Sequence, residues 1–97
     1  MTSSPQHTDF APHLNKQFRF EGHHHALRLA AVDVSVRPHA PELTRKPFTL
    51  IFHGPKQEVM PEGMYAVEVE NGPRFELYVM PILTREPDRQ DYQAVFN

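Results

Sequence analysis

The sequence predicts an all-β domain, a small six-stranded antiparallel barrel or sandwich with one short N-terminal helical turn. Three observations predict it. Six segments alternate apolar and polar side chains, which is the two-residue period of a β-strand. Ten prolines, spread along the 97 residues, disfavour long helices because proline lacks the amide proton that a helix needs. Asn71 and Gly72 lie between two of these segments and give the strongest short-range signal for a hairpin.

The N-terminal part predicts a tail followed by one helical turn. Residues 1–8 are small and polar, so we expect a mobile tail ahead of a single domain that spans residues 9–97. Phe10 and Leu14 are four residues apart, which places both on one side of a helical turn. We expect the apolar edge of this turn to cover one end of the core.

The first two strand segments predict a hairpin whose loop carries three consecutive histidines. Phe18 and Phe20 point to one face of the first segment. If Phe20 lies opposite Leu27 and Phe18 opposite Leu29, all these side chains enter the core. The loop then consists of residues 22–25, and the histidines lie at its tip.

The second segment changes its buried face partway along. Leu29 points inward at an odd position and Val32 at an even one, and a straight strand cannot bury both. We therefore expect a β-bulge near Ala30 and Ala31.

The third segment follows a proline-rich connection. Residues 37–47 contain three prolines and form either a functional loop or a linker across the barrel end. The strand that follows, residues 48–52, should end at Gly54 and Pro55, since both residue types interrupt strands. Its inward side chains are those of Phe48, Leu50 and Phe52.

The fourth and fifth segments flank the Asn71 and Gly72 signal. A two-residue loop would set core residues against surface residues, so the alternation favours a three-residue loop, residues 70–72, with Gly72 in the left-handed conformation. Glu68 then lies opposite Arg74. The inward pairs are Tyr65 with Leu77 and Val67 with Phe75.

The last segment, residues 91–97, completes the predicted sheet. Its alternation turns Tyr92, Ala94 and Phe96 towards the core.

The same alternation leaves an apolar patch on the outer side of the predicted sheet. An exposed apolar surface of this kind is commonly covered by another part of the chain or by another molecule. The cover is either the 10–14 turn or the 37–47 loop of the chain itself, or else a second copy or another protein, because Tyr and Met are enriched in interfaces. The outward residues are Ile51, Met64, Tyr78 and Met80.

Composition excludes several classes of function. The formal charge is −2 and no basic stripe occurs, which disfavours nucleic-acid binding. The chain has no cysteine, and therefore no disulfide or thiol chemistry. No apolar run approaches the roughly 20 residues of a membrane helix, and no secretory signal begins the chain. We expect a cytoplasmic protein without membrane contact.

Four short runs carry a resemblance to a known family. They are PFTLIFHGP at residues 47–55, MPEGMY at 60–65, MP at 80–81 and YQAVFN at 92–97. Together with Phe10, Leu14 and Phe18, they resemble the bacterial family catalogued as domain of unknown function 6916. The resemblance implies a small bacterial protein without an assigned activity, and a loose association with phage-tail-like structures.

His23, His24 and His25 are the most conspicuous candidates for a binding site. Imidazoles bind zinc, copper and nickel, but consecutive side chains project in different directions, and a closed site would need a fourth ligand from elsewhere in the fold. A solvated hairpin tip explains the same run of residues. Metal or small-ligand binding by this loop is the alternative function that we retain.

Signals for catalysis are absent from the sequence. The three serines lie outside any nucleophile motif, and no glycine-rich phosphate loop occurs. An enzyme would need a pocket that holds His53 and Glu62 together, which spacing alone does not show. We therefore expect a non-enzymatic domain without a cofactor, acting as an interaction or assembly module that binds a protein partner or forms a homo-oligomer.

Overall fold

The alternation of apolar and polar residues builds six strands that close into an antiparallel barrel. The computed structural model describes residues 5–34 and 47–96. The strands neighbour one another in the order β1-β2-β3-β6-β5-β4, and β4 pairs with β1 to close the ring. Of the two predicted architectures, the barrel is therefore correct. The elements are helix α1 (His7–Phe10), a 3-10 turn (Ala11–His13), β1 (Gln17–Phe20), β2 (Ala26–Val34), β3 (Phe48–Pro55), β4 (Gly63–Val69), β5 (Arg74–Ile82) and β6 (Arg89–Phe96).

The inward side chains fill the barrel with aromatic and aliphatic groups. Phe52 packs edge-on against Phe18 and Phe20, at ring-centroid distances of 5.2 and 5.6 Å. In the described part of the chain no polar or charged residue is fully buried, so apolar burial dominates the stability of the fold. The other core residues are Phe10, Leu27, Leu29, Phe48, Leu50, Met60, Val67, Val69, Leu77, Val79, Tyr92 and Ala94.

Helix α1 begins earlier than the sequence predicts. It starts at His7, two residues before the predicted start of the domain, and the carboxylate of Asp9 accepts the amide of Gln6 at 2.7 Å. This bond satisfies a helix amide that would otherwise lack a partner. The first half of the predicted tail, residues 1–4, lies outside the described residues.

The helical turn covers one end of the barrel, as predicted, but only through Phe10. This ring is fully buried and packs against three phenylalanines at the strand ends. The prediction for Leu14 is wrong: its side chain is 43% exposed, because a 3-10 turn follows α1 and breaks the regular four-residue spacing. The phenylalanines around Phe10 are Phe48, Phe75 and Phe96.

The predicted pairing of the first hairpin is wrong by two residues. Phe18, not Phe20, lies opposite Leu27. Beyond Arg19 the chain follows β4 instead of β2, since the amide of Glu21 donates to the carbonyl of Ala66 at 3.0 Å. A shift of two residues keeps every side chain on its predicted face, so alternation alone does not distinguish the two pairings.

Two other predictions, one for β2 and one for the hairpin of β4 and β5, are confirmed. The pairing of β2 with β3 shifts between Leu29 and Ala31, where we expected a bulge. The β4 and β5 pairs, including Glu68 with Arg74, are those that the three-residue loop predicts. The left-handed residue, however, is Asn71 with φ of 54°, not Gly72, and asparagine tolerates this conformation well.

Strand β3 continues through Gly54 to Pro55 instead of ending before them. Gly54 is required there by a close approach: a β-carbon at this position would lie 2.3 Å from Cδ2 of the buried Leu27 and 3.4 Å from Cε1 of Tyr92. A glycine inside a strand commonly marks such an approach of a side chain to the backbone.

We expect Gly54→Ala to destabilise the domain by about 1–3 kcal/mol, because Leu27 must leave its packed position to admit the methyl group. Gly63→Ala is a matched control, since its added β-carbon would meet nothing closer than 3.9 Å. Urea unfolding of both variants measures the difference. Equal free energies of unfolding for the two variants would contradict this account of Gly54.

The other end of the barrel is closed by Met60. Its side chain is 3% exposed, and its amide donates to the hydroxyl of Tyr92 at 2.9 Å. The hydroxyl of the fully buried Tyr92 also lies 3.5 Å from the carbonyl oxygen of Glu58. The connection between β3 and β4 is therefore fixed to the core by one polar group on a buried ring.

Candidate functional site

The four outward residues that the alternation predicts lie together on one side of the barrel. Met64 and Tyr78 are direct partners across β4 and β5. Ile51 on β3 and Met80 on β5 both pair with Gln93 on β6. Because β3, β6, β5 and β4 are consecutive in the ring, the four side chains lie on one side of the wall, with Gln93 between Ile51 and Met80.

Strand β6 contributes two residues that sequence reasoning missed. The side-chain amide of Gln93 lies 3.4 Å from the sulfur of Met80, and Val95 is 48% exposed beside the patch. Their positions alternate with the inward Tyr92 and Ala94, so the same two-residue period identifies them as outward. We call the following five residues the contact face: Ile51, Met64, Tyr78, Met80 and Val95.

The contact face is exposed at Met64, Tyr78 and Val95. Met64 is 63% and Tyr78 46% exposed, whereas Ile51 and Met80 are half-buried. Of the two covers that we considered within the chain, the 10–14 turn lies at the barrel end with Phe10 inside the core. The other, the 37–47 loop, lies outside the described residues except for Pro47.

A carboxylate orients the aromatic ring of the contact face. The hydroxyl of Tyr78 donates to Oε2 of Glu62. This hydrogen bond, with smaller contributions from burial and from the negative charge of Glu62, raises the pKa of Tyr78. The raised pKa favours the neutral phenol, which donates the hydrogen bond that orients the ring towards Glu62.

The three histidines lie in the β1 to β2 connection, as predicted, but they have separate partners. The ring of His23 packs edge-on against Tyr65 at a centroid distance of 5.4 Å. Nε2 of His25 lies 3.1 Å from Oε2 of Glu58, and His24 is exposed. Within residues 5–34 and 47–96, no three His, Cys, Asp or Glu side chains are placed to hold a metal ion.

Two hollows adjoin the histidines, and the larger, of about 230 Å³, is lined by His23 but not by His24 or His25. A cavity of about 10 Å³ lies between His23, His25 and Glu58, which is at the lower limit for a single water molecule. Because neither hollow is lined by all three histidines, the geometry does not support a small-ligand site built from His23, His24 and His25 together.

A row of polar side chains crosses the outer wall next to the contact face. Arg28, His53 and Asp91 occupy directly paired positions on β2, β3 and β6. Nη2 of Arg28 lies 2.9 Å from Nδ1 of His53, and Nε2 of His53 lies 3.8 Å from Oδ1 of Asp91. Arg89 binds the same carboxylate with its Nε at 2.7 Å. We call these four residues the polar row.

Partial burial sets the ionisation of the polar row. The side chains of His53 and Asp91 are 20% and 13% exposed. Burial lowers the pKa of His53, and the positive charge of Arg89 lowers it further. Arg28 acts in the same direction, while Asp91 opposes them. For Asp91, burial alone would raise the pKa, but the hydrogen bond and charge of Arg89 outweigh it and lower the pKa.

His53 and Glu62, the pair that an enzyme would need in one pocket, have different partners. His53 belongs to the polar row, whereas Glu62 accepts the hydroxyl of Tyr78. Sequence reasoning missed the polar row, because the contacts of Arg28 with His53 and of His53 with Asp91 join residues that are far apart along the chain.

A groove of about 510 Å³ lies over β1, three strands away from β6 in the ring. Arg19 and Glu68 form an ion pair across it at 3.2 Å, and both side chains are well exposed. Exposed pairs of this kind are weak, and their charges neutralise each other. Glu70 also lines the groove and leaves one net negative charge there, so an anionic ligand is not favoured.

Comparison with known proteins gives a family but no activity. None of the helices in the described residues is long and apolar enough to cross a membrane. No curated protein and no solved structure matches the chain. Residues 5–96, nearly the whole chain, match the model of the family described as "Domain of unknown function (DUF6916)". The chain therefore belongs to this family, as the runs of residues in the sequence indicate.

Proposed function

We propose that this domain is an assembly module, and that copies of the chain associate through the contact face. The observation that carries the proposal is the exposed pair of Met64 and Tyr78 in an apolar patch on the barrel wall. Tyrosine and methionine are enriched in the cores of protein interfaces. A role in a larger particle, such as a phage-tail-like structure, belongs to the same proposal.

The closed barrel restricts how the module associates. Each described strand has a neighbour on both sides, so none offers a full-length free edge to another chain. This closure favours association through side chains on the wall. The hydrogen bond from Tyr78 to Glu62 lowers the cost of binding, since the aromatic ring is already oriented.

The chemistry of the contact face suits a second copy of itself. In a two-fold symmetric dimer each contact between two different residues occurs twice. If the first residue of one copy contacts the second residue of its partner, then the second residue of that copy contacts the first residue of the partner. Met64 and Met80 supply flexible sulfur-containing side chains, and Tyr78 supplies the ring on which a methionine sulfur packs favourably. The patch is small, so we expect a transient dimer rather than a permanent one.

Sedimentation velocity tests the proposal over concentrations from micromolar to near-millimolar. We expect the wild-type sedimentation coefficient to rise with concentration, and Tyr78→Glu to remain monomeric, because the new carboxylate is desolvated in the interface and faces Glu62. Leu14→Glu is the matched control: it adds the same charge at a residue that is 43% exposed, against 46% for Tyr78, and it lies outside the contact face.

The control should associate like the wild type. A wild-type protein that stays monomeric throughout the series would contradict the proposal. Equal effects of Tyr78→Glu and Leu14→Glu would also contradict it, because net charge rather than the contact face would then govern association.

A further inference from the structure

The polar row continues into the N-terminal segment of the chain. Besides His53, Arg28 binds Asn15, whose Oδ1 accepts Nη1 of the guanidinium at 3.0 Å. Asn15 has a φ of 72° and joins the 3-10 turn to β1. A single guanidinium therefore connects a histidine on the barrel wall to the residue at which the N-terminal segment turns into the barrel.

The contact between Arg28 and His53 requires a neutral imidazole. A guanidinium only donates hydrogen bonds, so Nδ1 of His53 must carry a lone pair, and the ring proton must be on Nε2, towards Asp91. Protonation of Nδ1 would leave two N–H donors facing each other, one on His53 and one on Arg28, with 2.9 Å between their nitrogens. It would also place two positive charges side by side. The Nη2 contact would be lost, and the guanidinium would be repelled from His53.

The other charged groups around His53 do not compensate for this loss. Asp91 faces Nε2 but is already bound by Arg89 from the same strand. Glu86, from the β5 to β6 connection, has only a minor effect on His53. The charged groups that face His53 are thus Arg28 from β2, Arg89 and Asp91 from β6, and Glu86.

We propose that His53 is a proton-sensitive latch: protonation of its ring releases Arg28 from Asn15 and loosens the N-terminal segment, residues 6–16, from the barrel. This segment carries Phe10, which closes one end of the core. Its backbone is otherwise held near this point by two bonds, from the amide of Asn15 to the carbonyl of Leu29 at 2.8 Å and from the amide of Leu29 to the carbonyl of Lys16 at 3.1 Å. The proposal does not depend on the contact face.

The direction of the pH effect follows from the ionisation of His53. Burial first, and then the charges of Arg89 and Arg28, lower the pKa of His53 below its usual value of about 6.5. The unfolded chain therefore binds a proton more readily than the folded one. The stabilisation that neutral His53 provides is complete above about pH 6.5 and is lost as the pH falls through the lowered pKa.

Hydrogen exchange of the full chain tests the latch at about pH 8 and about pH 5, the range in which histidines titrate. The measured quantity is the protection factor, which corrects for the intrinsic effect of pH on exchange. We expect the amides of Asn15 and Leu29 to lose protection about tenfold at the lower pH, as for the loss of one hydrogen bond to a charged group. Protection between β3 and β6 should be unchanged.

Three variants show whether His53 itself is the group that responds to pH. His53→Gln keeps an acceptor for Arg28 but does not titrate, so the protection of Asn15 should no longer depend on pH. Arg28→Gln removes the link, so protection should be low at both pH values. His25→Gln, a control at an exposed histidine, should behave like the wild type.

Two results would overturn the latch. One is a wild-type protein whose N-terminal protection is the same at both pH values. The other is a His53→Gln variant that responds to pH as the wild type does, since the response would then arise from His7 or His13 within the segment itself.

Discussion

Phe10→Ala should destabilise the domain by about 3–5 kcal/mol, the usual cost of removing a buried phenylalanine ring. The ring is fully buried, and its centroid lies 4.5 Å from that of Phe75, 5.7 Å from that of Phe96 and 5.8 Å from that of Phe48. Without it, one end of the barrel opens to water. Domains of this size have a total stability of about 5–15 kcal/mol, so we expect a large decrease in the urea midpoint.

Leu14→Ala is the control for Phe10, because the sequence predicts both residues on one edge of the same turn. Leu14 is 43% exposed, and truncation of an exposed side chain changes stability by less than about 0.5 kcal/mol. The two variants should therefore differ by several kcal/mol in free energy of unfolding. If Phe10→Ala costs no more than Leu14→Ala, the ring does not close the barrel.

The fold was predictable from the sequence because its strands alternate strictly. In the β4 and β5 hairpin, the alternation and the Asn71 and Gly72 signal together leave one pairing that keeps Tyr65 and Leu77 inward, and the structure has this pairing. The first hairpin lacks such a turn signal. A shift of two residues leaves Phe18 on the same face, so nothing local selects the correct pairing there.

The candidate site was predictable only in part, for a related physical reason. Alternation identifies Ile51, Met64 and Tyr78 as outward, but whether outward residues meet depends on the order of strands in the ring. Arg28 and His53 are outward by the same rule. The contacts from Arg28 to His53 and from His53 to Asp91 require that β2, β3 and β6 be neighbours, and long-range strand order is not encoded in local patterns.

Tyr92→Ala is the second substitution from which we expect a loss of about 3–5 kcal/mol or more. The mutation removes a fully buried ring and also the hydroxyl that accepts the amide of Met60 at 2.9 Å. Met60 closes the barrel at the end opposite to Phe10, so the β3 to β4 connection should also lose its order. Thermal unfolding measures the first effect, and amide exchange at Met60 measures the second.

Tyr92→Phe separates the hydroxyl from the ring. It leaves the amide of Met60 without its acceptor inside the protein, which costs about 1–3 kcal/mol for a buried group.

Burial also raises the pKa of Tyr92. Its neutral form therefore stabilises the fold below about pH 10, and this contribution is lost as the pH rises through the raised pKa. The variant should lose this alkaline dependence.

Tyr65→Phe is the control for the hydroxyl of Tyr92, since the hydroxyl of Tyr65 donates to Pro61 at an exposed site where water replaces the bond. We expect Tyr65→Phe to unfold within about 0.5 kcal/mol of the wild type. If Tyr92→Phe were equally mild, the amide of Met60 would have to find water as a partner. In the core, the connection between β3 and β4 would then be held by the Met60 side chain, beside the surface contacts of Glu58 with His25 and of Glu62 with Tyr78. The barrel would be closed at both ends by apolar contacts.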